Sequence, residues 1–118
     1  MEEGRLIRSM LLDFYGELLT EKQRDCFDMH YNEDLSLSEI AEQLGISRQG
    51  VWDNIRRAES ALNEIEAKTG LIRRFTQNRL LLESLSEKMA ELAGLTQGRA
   101  AKIVEEAARD IEAMKLEV

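Results

Sequence analysis

The chain has 118 residues, enough for one domain with its own core. With 43% apolar and 33% charged residues, no proline and seven glycines, it excludes a disordered or strand-rich protein and reads as all-α. The formal net charge of −7 argues against a bare basic nucleic-acid module. No apolar run approaches the ~18 residues that a membrane span needs. A single cysteine, Cys26, cannot form an internal disulfide, and the acidic opening MEEGRL lacks the basic start and apolar middle of a signal peptide. Together these features predict a cytoplasmic protein.

The first helix is predicted over Arg5 to Tyr15, with Leu6, Ile7, Met10, Leu11 and Phe14 as its buried face and Leu18 and Leu19 continuing the burial beyond Gly16. Thr20 followed by Gln23 forms a capping box that opens a second helix, whose buried side is marked by Cys26, Phe27, Met29 and Tyr31. Cys26 reads as a small core residue, since no second Cys or His stands at metal spacing. His30 reads as an ordinary helix-end residue without a catalytic partner. Asn32, Glu33 and Asp34 form the following turn.

From Leu35 to Ala58 runs the stretch LSLSEIAEQLGISRQGVWDNIRRA, which reads as a helix-turn-helix. Ser36 and Glu39 make a second capping box. Ile40, Ala41 and Leu44 form one apolar stripe, and Gly45 stands where the chain must take the left-handed conformation of a sharp turn. Ile46 plugs the space between the two helices, Ser47 caps the second, and Val51, Ile55, Ala58 and Leu62 carry its buried face. Ala41 is small where the helices cross. A generic helical hairpin of an all-α bundle would share some of these features, but two caps, a plug and matching stripes on both sides of the turn are a more specific pattern.

The second helix of that motif continues to Lys68, with Gly70 as its stop, about 30 Å at 1.5 Å per residue. A fifth helix is predicted from Leu71 to Ala93, where Leu71, Phe75, Asn78, Leu82, Leu85, Met89 and Leu92 alternate in steps of three and four, a heptad seam with one polar break. Gly94 interrupts, Thr96 caps a last helix, and Ala100, Ile103, Ala107, Ile111 and Met114 repeat the seam. The expected division is a helix-turn-helix domain over 1–70 and a helical extension over 71–118, packed as one unit with it. The extension either closes as an antiparallel hairpin or pairs with a second copy. The number of apolar seams in so short a chain favours a homodimer.

Charge is unevenly spread. Residues 1–47 carry four basic and eleven acidic groups, residues 48–79 seven basic and four acidic, and residues 80–118 five basic and eight acidic. The one positive segment starts with the second helix of the motif, the half that would face phosphates.

Residues Leu19 to Leu62 resemble the fourth region of bacterial sigma factors through Thr20 to Gln23, the Tyr31-x-x-Asp34-Leu35-Ser36 turn and Ile40-Ala41-Glu42-x-Leu44-Gly45-Ile46-Ser47. That resemblance implies a helix-turn-helix of the kind that reads the −35 promoter element. Nothing in the chain is similar to the sigma region that opens the −10 element, so a working sigma factor is not expected. The whole chain is closer to the YlxM-type helix-turn-helix proteins of Gram-positive bacteria, which it resembles in Leu11-Leu12-Asp13-Phe14-Tyr15-Gly16, Leu18-Leu19-Thr20, Gln49-Gly50-Val51-x-Asp53 and length. Members of that family are typically encoded beside protein components of the signal recognition particle, which implies a role in that secretion pathway.

Carried over residue by residue, the sigma-like resemblance implies that Ser47, Arg48, Gln49, Trp52 and Asp53 face a major groove. Arg48 suits guanine and Gln49 adenine, while Arg56 and Arg57 suit phosphates. Trp52 and Asp53 depart from the sigma pattern, which places basic or amide side chains there. Asp53 repels phosphate yet accepts a hydrogen bond from cytosine. Trp52 suits a thymine methyl, and equally a protein contact, a role for which tryptophan is enriched. The leading expectation is a DNA-binding regulator of the signal recognition particle pathway. The alternative is an adaptor that contacts the particle's RNA or GTPase through Trp52, Arg56, Arg73, Arg74 and Arg79. No enzyme and no cofactor is expected, because the sequence carries no phosphate-binding glycine loop, no metal-ligand spacing and no nucleophile–base pair.

Overall fold

In the computed structural model, which describes residues 2–117, six α-helices follow one another: α1 (Glu2–Tyr15), α2 (Glu21–Tyr31), α3 (Leu37–Leu44), α4 (Arg48–Thr69), α5 (Leu71–Ala93) and α6 (Arg99–Glu117). A single 3-10 turn, Gly16–Leu18, joins α1 to the α2 cap. The fold is all-α, with no strand among the described residues. The chain divides into two compact units, Met1–Ile72 and Arg73–Val118.

The boundaries within the first unit follow from local chemistry. Thr20 Oγ1 accepts from the Gln23 amide and Gln23 Oε1 from the Thr20 amide, both at 3.2 Å, so a reciprocal box opens α2. The same device opens α3, where the Ser36 and Glu39 bonds both measure 3.1 Å. At the end of α3 the chain enters the left-handed region at Gly45 (φ +67), and the amides of Gly45 and Ile46 both return to the Ala41 carbonyl. Asp34, in the turn before α3, is the one non-glycine with positive φ among the described residues (φ 58), and its carboxylate pairs with Arg5.

α4 is the wall shared by two cores. Its N-terminal half sends Val51 and Ile55 into a cluster with Cys26 of α2 and Ile40 of α3, around which Met29, Leu35, Leu37, Ala41, Leu44 and Ile46 pack. Farther along, Ala58 and Leu62 join Leu11 and Tyr15 of α1, Leu19, Phe27 of α2 and Ile72. Val51, Ile55, Ala58 and Leu62 are all fully buried, as the helical stripe predicts.

The buried face of α1 differs from the expected one. Leu11 is buried, but its partner inside is Tyr15, while Leu6, Ile7 and Phe14 are exposed, as is Leu18 in the turn that follows. The reason is a polar anchor that apolar periodicity does not report. Tyr15 hydroxyl donates to Glu66 Oε1 at 2.6 Å and bonds Thr69 Oγ1 at 2.6 Å, and the same Glu66 oxygen accepts the Ile72 amide at 3.0 Å. This network rotates α1 until the tyrosine faces α4 and ties down the Gly70 corner. Burial, and then the bond to Glu66, push the Tyr15 pKa up, so the hydroxyl stays a donor across the physiological range. Arg8 makes a second bridge on the same side, stacking 4.4 Å from the Tyr31 ring centroid and donating to Glu59 at 3.2 Å.

In the second unit the chain from Arg73 to the end of α5 runs antiparallel to α6. Arg79 donates to the Lys115 carbonyl and Ser86 Oγ to Glu112 Oε1, each at 3.2 Å. Leu82, Val104 and Ile111 are buried. The expected seams are partly displaced. On α5, Leu82 is inside whereas Leu71, Leu85 and Leu92 are exposed; on α6, Val104 and Ile111 are inside whereas Ile103 and Met114 are exposed. Each helix carries two adjacent apolar stripes, and the antiparallel pairing buries one of them. Thr96 does not cap α6. Its hydroxyl donates to the Leu92 carbonyl at the end of α5, and α6 starts after Gly98, whose carbonyl accepts the Lys102 amide.

Candidate nucleic-acid interface

The first three turns of α4 present one polar, positively biased face. Ser47 stands at the N-cap, and its Oγ accepts the Gly50 amide at 2.9 Å. A side chain at position 50 would crowd this cap, because a Cβ there would lie 3.2 Å from Ser47 Oγ. The buried residues Val51 and Ile55 turn the opposite side of the helix outward. Arg48, Gln49, Trp52, Asp53, Arg56 and Arg57 are therefore all exposed, as is Ser47 itself. Residues 48, 52 and 56, and likewise 49, 53 and 57, are spaced by four, so they form two adjacent rows along one side of the helix. Asn54 lies at the edge of this face and is held by a 2.8 Å bond from its Nδ2 to the Gly50 carbonyl.

Trp52 is 38% exposed, a large aromatic left open on an otherwise polar surface. Together with Leu37, Arg48 and Gln49 it lines an open cavity of about 460 Å³ between the starts of α3 and α4. Leu37 is the one lining residue that sequence reasoning misses. It stands in helical register with Ile40, Ala41 and Leu44 and packs against the core, so periodicity gives no sign that it also reaches the cavity beside Trp52. The cavity pairs an apolar wall with one guanidinium and one amide, a combination suited to a nucleobase edge or to an apolar side chain flanked by a hydrogen-bonding group.

Cys26 is fully buried, and burial pushes its thiol pKa up, which keeps it protonated and unreactive. His30 Nδ1 lies 3.0 Å from the Leu35 carbonyl, holding the α2–α3 turn. Glu39, at the α3 cap, has its pKa lowered by the Ser36 backbone amide and then by the Ser36 side chain. Among the described residues no group of three or more His, Cys, Asp and Glu side chains is placed to hold a metal ion, and no helix is long and apolar enough to cross a membrane.

Residues 2–101 match the family described as "Putative helix-turn-helix protein, YlxM / p13 like". The chain is 43% identical over 117 residues to a UPF0122 protein of Thermoanaerobacter sp. (strain X514), an alignment covering 98% of this chain and all of the relative. It is 47% identical over 87 residues to a UPF0122 protein of Caldanaerobacter subterraneus subsp. tengcongensis, covering 74% of each. With a UPF0122 protein of Geobacillus kaustophilus it shares 44% identity over 94 residues, which is 80% of this chain and 86% of the relative. The match takes in the helix-turn-helix and both rows of its outer face, and the chain belongs to this YlxM / p13-like helix-turn-helix family.

Proposed function

We propose that the chain binds duplex DNA through the outer face of α4 and acts as a regulatory protein linked to the signal recognition particle pathway. The observation that carries this reading is the clean division of α4, with Val51, Ile55, Ala58 and Leu62 inside and Ser47, Arg48, Gln49, Trp52, Asp53, Arg56 and Arg57 outside. A helix of this kind fits the major groove with its first turns against base edges. In this reading Arg48 pairs with guanine, Gln49 with adenine, and Trp52 covers a thymine methyl. Asp53 accepts from cytosine. Ser47, Arg56 and Arg57 hold phosphates and set the register. Two copies would present two such helices to half-sites in successive major grooves. The pathway link rests on the family resemblance and not on the geometry of the face.

Gel shift and fluorescence titration against the duplex upstream of its own operon test the proposal, with Trp52 as the sole tryptophan reporter. Sequence-dependent binding that is lost on Arg48→Ala is the expected result. Absence of any preference over random duplex at low salt would sink it.

A second reading is favoured by one observation, the open tryptophan in an apolar-walled cavity. Trp52 and Leu37 would then seat a side chain of the particle's GTPase, or Trp52 would stack on its RNA beside Arg56, with Arg73, Arg74 and Arg79 of the second unit as further basic groups. Capture of the particle's RNA or GTPase that is abolished by Trp52→Ala, with no duplex binding, would favour this adaptor over the regulator.

A further inference from the structure

On α1, Arg5 pairs with Asp34 and Arg8 with Glu59. Arg48, at the start of α4, makes no ion pair and no side-chain hydrogen bond among the described residues, and neither does the Gln49 amide group. Both line the open cavity of about 460 Å³ with Trp52 and Leu37, and no acidic side chain lines it. Two other cavities of the first unit differ in this respect. The one at the start of α3 sets Arg5 and Arg8 against Asp34 and Glu39, and the one between α2 and α3 sets Lys22 against Glu21 and Asp25. The cavity beside Trp52 therefore carries one unbalanced positive charge.

Its walls say what kind of molecule balances that charge. Leu37 is half-buried and packs against the core cluster of Cys26, Ile40, Val51 and Ile55, so this wall is fixed in place. Trp52 supplies a flat aromatic surface beside it. A phosphate, or any wholly polar anion, would satisfy the guanidinium and leave the apolar walls wet. A neutral apolar molecule would cover the walls and leave the guanidinium without a partner. An aromatic ring that carries a carboxylate does both. The ring lies against Trp52 and Leu37, while the carboxylate oxygens accept from the Arg48 fork and from Gln49 Nε2. The volume is within the range of small-molecule sites, which pair apolar walls with a few convergent polar groups in the same way.

We infer that this cavity binds a small aromatic carboxylate, and that the ligand and duplex DNA exclude each other because both need Arg48, Gln49 and Trp52. The exclusion rests on the DNA reading above; the site itself does not. Phenylacetate is the probe, and Trp52, the sole tryptophan, reports it in the protein alone. Titration of the full chain is expected to give a saturable change in tryptophan fluorescence with a Kd of about 1 mM, the affinity of a ligand of roughly ten heavy atoms. Phenylacetamide has the same shape without the charge. It, and phenylacetate with the Arg48→Ala protein, are each expected to bind at least about tenfold more weakly, as loss of a charge-assisted pair requires. Arg99→Ala removes an exposed arginine of the second unit and is expected to leave binding unchanged, which separates a site from general attraction of anions. Added to the duplex complex at constant ionic strength, phenylacetate is expected to release the DNA and phenylacetamide to leave it bound. A fluorescence change that does not saturate at about twenty times the expected Kd, or equal binding by phenylacetamide or by Arg48→Ala, would overturn the site. Saturable binding beside undisturbed sequence-specific duplex binding would overturn the exclusion. Saturable binding in a chain without duplex affinity would support the site and count against the DNA reading alone.

Discussion

The two units have similar proportions of apolar residues and use them to different ends. In the first, α4 is covered along its length by α1, α2 and α3, and its stripe residues are fully buried. In the second, two long helices bury Leu82, Val104 and Ile111 and leave more large apolar side chains than that in solvent. Four helices can close a core around one of their number, whereas two helices have only one shared face. The first unit is therefore a finished scaffold that holds a polar face rigidly outward, and the second is an unfinished one with a free face.

Truncating matched side chains in the two units exposes this contrast most strongly. Phe27→Ala, in the middle of the first core, is expected to cost about 3–5 kcal/mol by urea unfolding. Leu81→Ala, on the outer stripe, is expected to cost the isolated chain within about 0.5 kcal/mol, as a surface substitution does. Any larger cost that grows with protein concentration reports a second copy. Equal, concentration-independent losses at both positions would erase the distinction between a closed and an open unit.

The next effect is conformational. Gly45 takes φ +67, and a methyl added there would have nothing within 4 Å, so Gly45→Ala meets no clash and tests backbone strain alone. The expected loss is about 1–2 kcal/mol. Ser47→Ala removes the cap of α4 and is expected to cost about 1 kcal/mol while loosening the first turn that carries Arg48 and Gln49. Hydrogen exchange at the Gly50 amide, which the Ser47 hydroxyl accepts, is the direct check.

The smallest effect is electrostatic. Glu39 has its folded pKa below the ordinary carboxylate value, chiefly through the Ser36 amide. A depressed carboxylate contributes stability that is fully present above its unfolded pKa and is lost as pH falls through the folded one. The α3 cap therefore weakens only on the acid side, below the ordinary carboxylate range. Glu39→Gln, which keeps an acceptor without the charge, is expected to flatten that part of the stability–pH curve. An unchanged acid limb would mean that the box contributes through geometry alone.

What is legible in the chain is what local chemistry determines. Thr20 with Gln23, Ser36 with Glu39, Gly45 and Ser47 each act within one turn of helix, and the structure has every one of them in the expected role. The burial of Val51, Ile55, Ala58 and Leu62 is legible too, because α4 has only one apolar stripe. The phase of α1, α5 and α6 is not. Each carries two neighbouring stripes, and periodicity cannot say which one a partner will cover. On α1 the choice is made by Tyr15 and Glu66, 51 residues apart in sequence and joined only by the fold. The residues of the outer α4 face can be named from helix spacing, but Leu37, which completes the cavity beside Trp52, lies across the turn on α3.

The central claim is that α4 reads duplex DNA with its exposed first turns, and a salt titration of duplex affinity tests it most directly. The slope of log affinity against log salt falls by about 0.9 for each phosphate contact on B-form DNA. Arg57→Ala is expected to flatten the slope by about 1 and to weaken binding evenly across sequences. Arg48→Ala is expected instead to cost about 1–3 kcal/mol and to relax the preference at one base pair. Equal losses for both variants with no change of slope or sequence preference would contradict the assignment of this face to DNA.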